Sequence, residues 1–108
     1  MGNQEVITNL KVELFKVLAH PARIQILKLL ESGERCVCEL IEEMDLEQSN
    51  LSQHLGILKK QGLIASRKDG TRVFYTALYP TVTKMMQLAE ILVIEQANQS
   101  RTLLQNVK

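Results

Sequence analysis

At 108 residues, 45% of them hydrophobic, the chain is sized for one domain with a modest core and is too short for a two-domain enzyme. Its apolar runs fall well below the roughly 18 residues of a membrane span, and its start lacks the basic-then-apolar pattern of a secretory leader. A cytoplasmic chain with reduced thiols and no membrane partner is therefore expected. The formal net charge of +1 names no partner, and with no tryptophan and only four aromatic residues the core falls to aliphatic side chains.

In chain order, Val6, Leu10, Leu14, Val17 and Leu18 recur at helical spacing. His20-Pro21 stops this first helix, since the residue before proline is pushed out of the helical region, and Pro21 suits the first position of the next. That second helix carries Ile24, Ile26, Leu27, Leu29 and Leu30 and stops at Gly33. Leu40, Ile41 and Met44 predict the buried stripe of a short third helix ended at Asp45-Leu46. A fourth, from about Gln48, buries Leu51, Leu55 and Leu58 and ends at Gly62. The period then changes to that of strands. Leu63 to Lys68 and Thr71 to Leu78 are joined by Asp69-Gly70, a favoured two-residue hairpin turn. Pro80 closes the hairpin, Thr81 caps a long final helix, and Val82, Met85, Met86, Ala89, Leu92 and Val93 share one face of it. The expectation is one mainly helical domain over 1–108 with a hairpin wing. A dimerisation helix covers 81–104, and the tail at 105–108 frays.

A short helix, a tight turn and a second helix with a polar outer stripe make the helix-turn-helix pattern. The second helix of such a motif offers its first residues to base edges in the major groove. Here Gln48, Ser49, Asn50, Ser52, Gln53 and His54 are the candidates, with amides suited to adenine and hydroxyls to bases or phosphates. Charge distribution agrees. Lys59, Lys60, Arg67, Lys68 and Arg72 stand against Asp69 alone, and are the candidate phosphate contacts. Upstream, Glu34, Glu39, Glu42, Glu43, Asp45 and Glu47 stand against Arg35 alone. The first and last helices carry more apolar surface than a small domain buries by itself. Leu10, Leu14, Met85, Met86, Ala89, Leu92 and Val93 are thus candidates for a two-fold interface between copies.

Several motifs in this order resemble the arsenic-repressor (ArsR/SmtB) family: Leu18-Ala19-His20-Pro21-Ala22-Arg23, Cys36-Val37-Cys38-Glu39-Leu40, Gln48-Ser49-Asn50-Leu51-Ser52-Gln53-His54-Leu55, and Leu63-Ile64 with its basic hairpin. The resemblance covers about Leu14 to Leu78. It implies a winged-helix homodimer, paired through its first and last helices, that represses from a palindromic operator and leaves it on binding a metal ion or metalloid. Cys36 and Cys38 match two of the three cysteines of the arsenite-sensing branch. The third position holds Ile41, the N-terminal cysteines of the cadmium- and lead-sensing branch are absent, and Thr81 to Lys108 contains neither histidine nor aspartate for the family's site on the last helix. Glu47 stands where a small hydroxyl residue often caps the recognition helix.

Cys36 and Cys38 are the only thiols. In a reduced compartment they read as soft-metal ligands or redox groups rather than as a structural disulfide, with Cys36 in an extended lead-in and Cys38 near the helix cap. Residues i and i+2 point to one side of an extended chain but about 200° apart on a helix, so shared ligation should unwind a helical pair. Two thiolates and an outside ligand suit As(III) or Sb(III), two alone suit Hg(II) or Cu(I), and Cd(II) is a further soft candidate. DNA binding itself calls for no cofactor. A repressor released by As(III) or Sb(III) is the foremost reading, a reactive-sulfur or oxidant sensor using the same cysteines the alternative, and a dimeric module that binds no DNA the outsider. No catalytic constellation accompanies the cysteines, so an enzyme is not expected.

Overall fold

The computed structural model describes residues 2–106. Helix α1 (Gly2–Leu18) leads into α2 (Pro21–Leu29), a 3₁₀ turn (Leu30–Ser32), strand β1 (Arg35–Cys36), α3 (Val37–Met44), α4 (Gln48–Lys60), strands β2 (Ile64–Asp69) and β3 (Arg72–Ala77), and α5 (Pro80–Asn106). The strands form one antiparallel sheet in the order β1-β3-β2.

Local chemistry sets each boundary. His20 is extended before Pro21, and its Nδ1 accepts from the Ala22 amide at 3.1 Å, capping α2. Asp45 ends α3 in the left-handed region at φ 51°, which asparagine and aspartate tolerate better than most residues. At the end of α4, Gly62 takes φ 81°. Its amide bonds Lys59 O at 2.9 Å while the Leu63 amide bonds Leu58 O at 3.1 Å, the paired geometry of a Schellman ending.

Two expectations are corrected. The hairpin loop is Gly70-Thr71, because Asp69 still pairs with Arg72. Positive φ at Gly70 alone (65°) fits a turn with glycine at its first central position. Pro80, rather than closing the hairpin, is the first residue of α5, where its fixed φ suits a helix start; Thr81 is therefore not the cap. The final helix is described to Asn106, and positions 107 and 108 of the expected frayed tail lie outside the described residues. The two-residue strand β1 was not foreseen.

Ile26, Leu40, Leu51, Leu55, Leu58 and Ile64 are fully buried, so α2, α3, α4 and the root of the sheet meet in one apolar centre. Ile41, expected in that stripe, is only half-buried. Val82 anchors the start of α5 to this centre, with Met85 and Met86 packed against it. Beyond them α5 runs free, as does most of α1. The radius of gyration is 17.4 Å, against about 13 Å for a compact chain of this size.

Candidate nucleic-acid interface and thiol pair

Burial of Leu51, Leu55 and Leu58 leaves the rest of α4 facing outward, and Gln48, Ser49, Asn50, Ser52 and Gln53 are all exposed, with Gln48 and Ser52 on the side toward the cysteines. Glu47 is the N-cap residue with extended backbone (φ −65°, ψ 145°), and its side chain makes no capping hydrogen bond. His54 does not belong to the exposed row. It is half-buried, its ring lies 4.3 Å from that of His20, and its Nδ1 accepts from Arg23 Nε at 3.3 Å. Arg23 also donates to Val17 O at 3.2 Å, tying the end of α1 to α4. Burial, then the charges of His20 and Arg23, hold the His54 pKa below its ordinary value.

The five candidate cations separate in the same way. Lys60, Lys68 and Arg72 are exposed, and Lys59 donates to Ser66 Oγ at 2.8 Å across the α4–β2 junction. Arg67 is already engaged. Its guanidinium forms a two-pronged ion pair with Glu34 at 2.6 and 2.7 Å and lies 4.6 Å over the Phe74 ring. The hydrogen bonds from Arg67 hold the Glu34 carboxyl below its usual range and push the arginine up. Glu34 and Arg67 are 33 residues apart with no shared local pattern, so sequence reading missed this pair.

Cys36 and Cys38 are joined by a disulfide, their Cα atoms 5.2 Å apart. The pair, expected as ligand or redox thiols rather than a structural disulfide, is oxidised here. Cys36 is the N-cap of α3, still extended at φ −71° and ψ 149°, and only Cys38 is helical, so the pair straddles the strand–helix junction and α3 keeps its first turn. The Cys38 amide donates to Cys36 Sγ at 3.0 Å, and the Cys36 amide to Glu39 Oε1 at 3.2 Å. The two sulfurs differ in access: Cys36 is 3% exposed, whereas Cys38 faces solvent. Cys36 also pairs with Phe74 of β3, which places it against the hairpin and the helix-turn-helix at once. Beside the pair opens a cleft of about 430 Å³, walled by Cys36, Cys38 and Ile41, by Gln48 and Ser52 of α4, and by Arg72 and Tyr75 of β3. Among the described residues no three His, Cys, Asp or Glu side chains come together as a metal site.

Of the candidate interface residues, Leu10, Ala89, Leu92 and Val93 are exposed, while Leu14, Met85 and Met86 are partly buried against the core of their own chain. Sequence reading missed the exposed Phe15, Leu88 and Ile91, although Leu88 and Ile91 flank the Leu92 face at helical spacing.

A core of α2, α3 and α4 that leaves the polar side of α4 exposed, with a β-hairpin beside it, defines a winged helix-turn-helix protein. Residues 20–66 match the bacterial regulatory proteins of the arsR family. The HTH-type transcriptional regulator Rv0081 of Mycobacterium tuberculosis is 45% identical over 86 residues, which span 79% of this chain and 75% of that one. The arsenical resistance operon repressor of Staphylococcus aureus is 35% identical over 88% of both chains. Among solved structures, Rv0081 superposes with a TM-score of 0.77 at 41% identity, covering 89% of this chain and 96% of that one. The reduced form of HlyU from Vibrio cholerae gives 0.75 at 38%, covering 85% and 97%. A homodimeric winged helix-turn-helix DNA-binding domain from Mycobacterium bovis gives 0.75 at 29%, covering 85% of each chain. The chain belongs to the arsR family, whose members are DNA-binding transcriptional regulators and not enzymes. Among the described residues no helix is long and apolar enough to cross a membrane.

Proposed function

We propose that the protein is a homodimeric operator-binding repressor whose grip on DNA is set by the state of the Cys36–Cys38 pair. Gln48, Ser49, Asn50, Ser52 and Gln53 read base edges. Lys59, Lys60, Lys68 and Arg72 hold phosphates, and the Glu34-bound Arg67 and the half-buried His54 serve the fold instead. The exposed apolar faces of α1 and α5 join two copies, as the M. bovis homodimer supports, and a two-fold protein calls for a palindromic operator.

The position of Cys36 carries the reading. A change at its sulfur acts directly on β3, through the pairing with Phe74, and on α3, whose first turn it caps. Closing the pair to a disulfide is the change the observed linkage favours, so oxidant or reactive sulfur stands ahead of metalloid as inducer. Trivalent arsenic or antimony is the second reading, favoured by likeness to the S. aureus arsenical repressor; two thiolates would bind it together with one outside thiol. Operator binding followed by fluorescence anisotropy, with diamide, polysulfide, arsenite and antimonite titrated in parallel, tests both. Oxidation should weaken the operator complex on the order of tenfold or more, reversibly with reductant. Cys36→Ser and Cys38→Ser should bind DNA and ignore every inducer. Release that persists in both variants refutes a thiol sensor. Release by arsenite with none by oxidant makes the second reading the right one.

A further inference from the structure

The cleft beside the thiols has a polar rim and a charge bias that disulfide closure alone does not use. Its apolar floor includes Ile41 and Leu55, and its rim carries Gln48, Ser52 and Arg72. At about 430 Å³ it falls within the range of small-molecule sites. The two acids nearest the thiols in sequence are neutralised: Glu34 is bound to Arg67, and Glu39 to Arg35 and the Cys36 amide. Arg72, by contrast, makes no ion pair among the described residues, although Asp69 is its register partner across the hairpin. Both cysteines border the cleft, but Cys38 is the exposed one, whereas Cys36 is buried.

We infer that this cleft is a docking site for an anionic low-molecular-weight disulfide, the oxidised form of an acidic small thiol, whose carboxylate pairs with Arg72 while Cys38 attacks its sulfur. The inference rests on the redox reading above and names the oxidant. In the first step the Cys38 thiolate attacks one sulfur of R–S–S–R. A Cys38–S–S–R bond forms, the R–S–S–R bond breaks, and RS⁻ leaves to take a proton from water. In the second step the Cys36 thiolate attacks Cys38 Sγ, forms the Cys36–Cys38 disulfide and expels the second RS⁻. Two protein thiols are oxidised, one small disulfide is reduced to two thiols, and the protons lost by the cysteines end on the leaving groups. Burial explains the division of labour: an outside disulfide reaches Cys38, and only an internal partner reaches Cys36. Because Gln48 and Arg72 are also assigned to DNA, the docked molecule and the operator exclude each other.

Reduced full-length protein is mixed with glutathione disulfide (anionic), hydroxyethyl disulfide (neutral) or cystamine (cationic), quenched in acid and read by mass spectrometry. The anionic probe should react on the order of tenfold faster than the cationic one. Arg72→Gln should level the order, and Arg72→Lys should restore it. Cys36→Ser should trap a mixed disulfide at Cys38, whereas Cys38→Ser should trap none. Operator DNA should slow glutathione disulfide more than it slows hydrogen peroxide. A charge-blind order, or adducts at Cys36, overturns the docking site even where diamide still closes the pair and releases DNA. If diamide closes the pair and DNA stays bound, the redox reading falls, and the probe order still decides the docking site.

Discussion

Glu47 begins α4 with its backbone set for a cap and its carboxylate unused. Serine at that position would accept from the free amides of the first turn and contribute about 0.5–1 kcal/mol. It would also remove a negative charge beside the proposed phosphate path. Glu47→Ser should therefore raise the urea midpoint and tighten operator binding together; a variant that gains neither contradicts the assignment of this end of α4. His54 gives a second prediction at this scale. Its folded pKa lies below the ordinary 6.5, so the unfolded chain takes up the proton more readily. The stability tied to its neutral form is complete above about 6.5 and is lost as pH falls through that value toward the folded pKa. His54→Gln keeps an acceptor for Arg23 and cannot titrate. Urea midpoints taken between about pH 7.5 and 5.5, above the carboxylate range, should fall for wild type and stay flatter for the variant.

At the scale of elements, most helices were legible because one face of each meets a shared core: Leu51, Leu55 and Leu58 of α4 sit at the buried positions that their spacing implies. Pairs that only the folded sheet creates were not legible. Strand β1 is two residues long and too short for a period, and Glu34 meets Arg67 through the hairpin. The change of backbone state between the two cysteines was legible, since Cys36 is extended and Cys38 helical as the lead-in to α3 implies; their linkage was not, because a reduced compartment argues for open thiols. The exposure of the α4 amides was readable for the opposite reason, since burying Leu51, Leu55 and Leu58 leaves the polar residues between them facing solvent. Ile41 borders the thiol cleft, one helical turn from Cys38. Ile41→Cys would supply a third soft ligand, and operator release by arsenite should then need less metalloid than in wild type, as a titration by anisotropy would show. An unchanged or weaker response would mean that position 41 does not reach the same ligand.

For the whole molecule, the informative quantity is apolar surface left uncovered. Leu92 is 55% exposed within its own chain, so Leu92→Asp should spare the fold of the monomer and oppose only the pairing of two copies. Sedimentation velocity should show a lighter species than wild type, with the circular dichroism of the winged core retained, and operator affinity should fall because half-sites are no longer held together. A wild-type chain that sediments as a monomer and still binds a palindrome fully would refute the dimer.

Every described side chain of α5 from Gln87 onward is exposed, and a helix without a packing partner is marginal in water. A newly made chain that has not met a second copy therefore presents a loosely held end to cellular proteases, and pairing removes that end from reach. Degradation would then fall most heavily on surplus, unmated copies. On the dimer proposed above, the chain's abundance would then depend on its own concentration. Pulse-chase half-lives should lengthen as expression rises, and the Leu92→Asp chain should be cleared quickly at every level.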